Sequence, residues 1–261
     1  MMTHGLKERL PAAKRLFGTH ITLSDPEVSA VLSRAGFDFV LLEADNTEAS
    51  YSALRNHLAA MRTGGVPALV RVSLISENHI NRVLELGPHG IIFSGLNTAD
   101  HVRRAVSMSL YPPEGTRHFN PLRSVTYKIE EAYELAKGEN ESFCRMIQLD
   151  TAEAIRNLAE IVRVKGIDGF FLAPGDLTRP DGSPEALFGP DTGELILGAA
   201  ELLRQSQIPL GVSLLRAGAG VPEYWLGLGA RIFAIGSDAG YIADGARDNL
   251  GMLKNPEHSL Q

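Results

Sequence analysis

Cysteine is nearly absent: Cys144 stands alone among 261 residues, which excludes an intrachain disulfide framework and any metal centre built from several thiolates. Long apolar runs are missing as well. None approaches the roughly 20 residues that a membrane-spanning helix needs, and Met1 to Leu16 carries charges where a signal peptide would have an apolar core. There is no block of Lys and Arg, and 25 basic against 31 acidic groups give a formal charge of −6, so neither nucleic acid nor an anionic membrane is an expected partner. These absences leave small molecules as the expected partners and the cytoplasm as the expected location.

What is present is a large apolar fraction, 44% of the side chains, on a chain of the length usual for one α/β barrel. Eight short runs rich in β-branched and aromatic residues read as strands: Phe17 to Thr22, Phe39 to Glu43, Ala68 to Val72, Gly90 to Phe93, Cys144 to Leu149, Gly169 to Leu172, Pro209 to Leu214 and Arg231 to Ile235. Between them lie stretches of helical period, Pro26 to Ala35, Glu48 to Thr63, His79 to Leu86, Ala99 to Ser109, Ile129 to Gly138, Thr151 to Val164, Thr192 to Gln205 and Val221 to Leu228. Such alternation means parallel strands joined by crossover helices. Gly36, Gly64, Gly87, Gly166 and Gly229 each follow a helical run and precede a strand, where glycine accepts the left-handed turn that closes a helix. The repeated turn points to a (β/α)8 TIM barrel, a single domain over residues 1–261, with a tail from about 247 that is exchanged or disordered. The Pro-rich stretch Tyr111 to Val125 is expected as an excursion on the catalytic face.

Barrel enzymes carry their chemistry where strands end. The polar residues expected there are Glu43, Asp45 and Asn46 after the second strand, Arg71 on the third, Gln148 and Asp150 on the fifth and Asp176 after the sixth. Side chains alternate along a strand, so Gln148 and Asp150 face one way and Leu149 the other. Asp150 and Asp176, without Cys or His beside them, make an all-oxygen site for a hard divalent ion, magnesium or manganese first, with cobalt and zinc as alternatives. A 2-oxo acid would chelate that ion through carboxylate and keto oxygens. Arg71 would meet the keto oxygen, and backbone N–H groups near Gly175 and Asp176 would take the carboxylate. Pro174 and Leu214 are expected to line the same pocket, the latter toward the second substrate.

Several segments resemble the HpcH/HpaI aldolase family: Phe37-Asp-Phe-Val-Leu-Leu-Glu-Ala-Asp-Asn, Leu69-Val-Arg-Val, Ile147-Gln-Leu-Asp-Thr-Ala-Glu-Ala-Ile-Arg-Asn-Leu and Gly166-Ile-Asp-Gly-Phe-Phe-Leu-Ala-Pro-Gly-Asp-Leu. The resemblance runs from about Thr19 to about Ala246. It implies a class II, metal-dependent pyruvate aldolase, of the type that acts on 4-hydroxy-2-oxoheptanedioate or 2-keto-3-deoxy sugar acids, assembled as a hexamer of paired trimers. By that likeness Asp150 and Asp176 are the metal ligands, Gln148 is a polar neighbour and Arg71 contacts the keto acid. One departure stands out. The family carries a histidine base after the second strand, and this chain has Asn46 there, which cannot accept and return a proton near neutral pH. Glu43, Asp45, His118 or a metal-bound water would have to take over, or the reaction would need no base.

The expected activity is carbon–carbon lyase chemistry on 2-oxo acids, reversible as addition of pyruvate to an aldehyde. The alternatives are decarboxylation of an oxaloacetate-type diacid, biosynthetic bond formation from the same enolate, and an inactive homologue with a binding role. His20, at the end of the first strand, is read as a core histidine, and Cys144 as packing.

Overall fold

Local signals set where each element starts. Side-chain caps fix several helix N-termini: Ser50 accepts from the Ala53 amide, Ser76 from His79, Thr98 from His101 and Thr151 from Ala154. The second of the expected helices therefore starts at Tyr51, after its cap, and the third at Glu77. The computed structural model describes residues 6–12, 14–44, 50–73, 75–118, 129–177, 190–215 and 221–254.

Its strands are β1 (Leu16–Ile21), β2 (Phe39–Glu43), β3 (Ala68–Val72), β4 (Gly90–Phe93), β5 (Cys144–Leu149), β6 (Gly169–Leu172), β7 (Leu210–Leu214) and β8 (Ala230–Ser237). Its helices are α1 (Leu6–Ala12), α2 (Pro26–Leu32), α3 (Tyr51–Gly64), α4 (Glu77–Leu84), α5 (Ala99–Met108), α6 (Ile129–Ser142), α7 (Ala152–Arg156), α8 (Leu158–Ile161), α9 (Pro174–Leu177), α10 (Pro190–Gln205), α11 (Val221–Gly227) and α12 (Asp238–Lys254). The strands close in sequence order, every neighbour parallel, with β1 joined to β8. This is the expected (β/α)8 barrel. The turn glycines hold left-handed φ at Gly36, Gly87, Gly166 and Gly229. In the third turn that role belongs to Gly65 at φ 72°, because Gly64 is still the last helical residue.

Alternation along the strands sorts side chains into two layers. Leu16, Phe39, Leu41, Leu69, Ile92, Met146, Phe171 and Ile232 fill the barrel, while Val40, Leu42, Val70, Ile147, Leu149, Phe170, Leu172 and Val212 pack outward under the helices. Cys144 lies in the inner layer, where burial pushes its thiol pKa up and leaves it unreactive. Helix α1 seals the N-terminal end: Leu6 and Leu10 join the inner layer at 1% and 4% exposure, each stabilising the fold by about 2 kcal/mol. Two αβ turns clamp it. Asp38 takes Arg9 and the Phe17 amide, and Asp168 takes Lys7 at 3.1 Å and the Arg145 amide at 2.8 Å.

The expected helix over Thr151 to Val164 is interrupted at Asn157, whose side-chain amide turns to donate to the Asn97 carbonyl at 2.8 Å. Of the Tyr111 to Val125 excursion, residues 119–125 lie outside those described. The described part is anchored at the end of the barrel opposite the mouth. Thr116 and Arg117 bond back to the end of α5, and buried Arg117 stacks on Tyr111 and pairs with Glu139 ahead of β5. Chain beyond residue 247 continues as α12 up to Lys254, with every residue from Gly245 onward exposed. No helix among the described residues is long and apolar enough to cross a membrane.

Candidate active site at the mouth of the barrel

Toward the C-terminal ends of the strands, the inward positions change from apolar to polar within one step of two residues. Glu43 follows Leu41, Arg71 follows Leu69, Ser94 follows Ile92 and Gln148 follows Met146. His20 on β1 and Ser213 on β7 occupy the same parity, and Asp150 continues the column above Gln148. A ring of polar groups therefore caps a fully apolar filling.

Arg71 is held rigidly. Its Nε and one Nη both donate to Glu43 Oε2 at 2.6 Å, and the other Nη donates to Ser94 Oγ at 3.2 Å. Burial works against its charge, but the bond to Glu43 and the charges of Glu43, Asp176 and Asp150 outweigh it and raise the pKa. Glu43 is thus engaged in orienting Arg71. Asp45 and Asn46 lie outside the described residues.

Across from this pair, Asp150 Oδ2 accepts the Gly95 amide at 3.0 Å and Gln148 Nε2 donates to Asp176 Oδ2 at 3.3 Å. The other side-chain oxygens of this pair, Asp150 Oδ1 and Gln148 Oε1, are buried with no hydrogen-bond partner among the described residues. Burial raises the pKa of Asp150, and the nearby charge of Asp176 adds to the rise against the Gly95 bond. Both observations suit a divalent cation: buried acceptors stand where one guanidinium faces three carboxylates, leaving two negative charges to balance. No group of three or more His, Cys, Asp or Glu forms a cage among the described residues.

Three expectations shift. Asp176 sits in the single turn α9, and its amide donates to the Ala173 carbonyl at 3.0 Å, so it is not available to a substrate carboxylate. Pro174 is buried and Gly175 exposed beside it. Leu214 packs into the outer layer with Val212, and the inward residue of β7 is Ser213. His118 lies outside the ring, 77% exposed and paired with Glu77 at 2.7 Å. Conversely, His20 belongs to the ring. Its Nδ1 meets the Gly236 carbonyl at 2.8 Å and its Nε2 meets Ser213 Oγ at 2.9 Å.

The sequence profile of the HpcH/HpaI aldolase/citrate lyase family matches residues 16–244. The chain belongs to this family. Among its relatives are a 4-hydroxy-2-oxo-heptane-1,7-dioate aldolase of Salmonella typhimurium, 28% identical over 245 residues, 94% of this chain and 92% of that protein, and a 2-keto-3-deoxy-L-rhamnonate aldolase of Escherichia coli, 25% identical over 255 residues, 98% and 95%. The crystal structure of an HpcH/HpaI aldolase from Desulfitobacterium hafniense shares the fold with a TM-score of 0.87, at 21% identity over 97% of each chain. Family membership bears out the expected resemblance and the reading of the chain as an enzyme of the aldolase type, a carbon–carbon lyase.

Proposed function

We propose that this family member cleaves or forms the carbon–carbon bond beside the keto group of a 2-oxo acid, with a divalent cation seated on Asp150 and Asp176. The observation that carries the reading is the pair of buried, unpartnered acceptors, Asp150 Oδ1 and Gln148 Oε1, beside a doubly negative cluster. When bound, the cation acts as a Lewis acid on the keto oxygen. Magnesium or manganese suits the all-oxygen donors best, with cobalt and zinc next. Arg71, fixed by Glu43 and Ser94, aims its remaining N–H donors at the oxygen where enolate charge grows, and needs no reorganisation as the bond breaks. Titrating metal-stripped protein with Mn2+, with and without pyruvate, tests the reading. We expect one site per chain, tightened by pyruvate and lost in Asp150→Ala and Asp176→Ala. Uptake unchanged by either substitution would sink it.

A homo-oligomer is part of the same reading, a hexamer by the family resemblance. Support comes from α12, where Ile242, Leu250, Met252 and Leu253 are 50–80% exposed, an apolar surface of the kind that copies of a chain cover. Light scattering against the 28.2 kDa chain mass decides it. A cytoplasmic address is also inferred, supported by the single, buried cysteine.

A further inference from the structure

His20 and Ser213 form a pair that the proposed function does not use. In the ring order of strands, β1 lies across the mouth from β5, so His20 faces the side where Asp150 and Gln148 stand. The imidazole is 3% exposed. Its tautomer is fixed by its surroundings: the Gly236 carbonyl can only accept, so Nδ1 carries the hydrogen and Nε2 is left to accept the Ser213 hydroxyl. Gly236 reaches that pose at φ 74°, and a Cβ there would meet Tyr241 Oη at 2.3 Å, which favours glycine at this position. The charged groups that act on the imidazole are Glu43, Arg71 and Asp238. Burial outweighs them and lowers the pKa, which keeps the ring neutral and Nε2 unprotonated at neutral pH. Ser213 is only half-buried and is the one member of the pair that opens toward the mouth.

Resting on the function proposed above, we propose that Ser213 and His20 form the proton relay of this site, doing the work of the histidine base in whose place this chain has Asn46. In the cleavage direction the hydroxyl on carbon four of the substrate gives its proton to Ser213 Oγ as the Oγ–H proton passes to His20 Nε2. The O–H electron pair becomes the new aldehyde C=O, and the C3–C4 pair moves into the pyruvate enolate. The imidazolium, held at Nδ1 by Gly236 and facing Glu43, then returns its proton through Ser213 to carbon three. Atoms and charges balance with no further reactant. His20 acts through Ser213 and is a positioning and proton-storing residue.

Two reactions of the Mn2+-loaded protein separate this relay from the function beneath it. Exchange of pyruvate methyl hydrogens in D2O needs a base, whereas loss of carbon dioxide from oxaloacetate creates the enolate without one. We expect His20→Gln to lower the ratio of exchange to decarboxylation by about 10²-fold, within the range for a general base, and Ser213→Ala to lower it by about tenfold. Wild-type exchange should fall as pH drops through a value below 6.5, the ordinary histidine value, and His20→Gln should lose that limb. Nitrogen NMR of the metal-free protein should show the Nδ1–H tautomer. An unchanged ratio and pH limb in both variants, or a wild type that decarboxylates without exchanging, overturns the relay alone. A wild type that does neither overturns the function on which it rests.

Discussion

The two ends of the barrel are built on the same eight strands and are finished in opposite ways. At the N-terminal end Leu6 and Leu10 complete an apolar plug, and the charges around it are matched, Lys7 to Asp168 and Arg9 to Asp38, with each aspartate also taking a strand amide. At the mouth Asp150 and Gln148 each leave a buried oxygen without a partner, and Asp150 is held near Asp176 at a raised pKa. One end spends its side chains on stability; the other keeps unsatisfied groups in place for a ligand that balances them.

Substitutions at the two ends should therefore separate cleanly. The largest effect is expected from Asp176→Ala, which should lower metal-dependent turnover of oxaloacetate by about 10³-fold or more while thermal unfolding of the metal-free protein barely moves. Next comes Leu6→Ala at the plug, costing about 3 kcal/mol in urea unfolding through the cavity it leaves, with turnover per folded molecule retained. Loss of turnover there in proportion to stability would erase the contrast between the ends. Arg71→Lys should lower kcat/KM by about 10 to 100-fold, since a lysine cannot hold Glu43 and Ser94 while presenting a fork to substrate. The smallest effect has the opposite sign. Because the folded pKa of Asp150 lies above its ordinary 3.8, this carboxyl's contribution to the stability of the metal-free protein is fully present below that value and is lost as pH rises through the raised one. Asp150→Asn should flatten this dependence and raise Tm near pH 7 by about 2 °C, while abolishing Mn2+ uptake. A drop in Tm would mean that the carboxylate stabilises the empty mouth.

Much of this contrast was legible in the residues. Period-two alternation placed Gln148 and Asp150 on one face and Leu149 on the other, and the structure sorts them so. β2 to β6 fall where their β-branched runs begin and end. The closed end was not legible: α1 is seven residues with a proline inside, too short for a periodic signal, and its purpose shows only once a barrel interior exists to be filled. The β7 side of the mouth was missed by a phase of one. Val212, Ser213, Leu214 and Leu215 form a mostly apolar run in which nothing local says whether the serine or its neighbours face inward, and the tilt of the closed sheet decides it. His20 looked like a core histidine, and its burial agrees. Its partner, 193 residues away, is what no local pattern could supply.

The seam of the ring carries a consequence for how the molecule is made. Strand β1 pairs with β8, and Thr22 bonds to the Asp238 carboxylate at the start of the last helix, contacts spanning more than 200 residues. A chain emerging from the ribosome thus carries a curved, open sheet with two unpaired edges until its final strand arrives, and contacts of such long range form slowly. Synthesis must outrun aggregation over that interval, so the yield of native protein should respond to chaperones and growth temperature more than the stability of the finished ring would indicate.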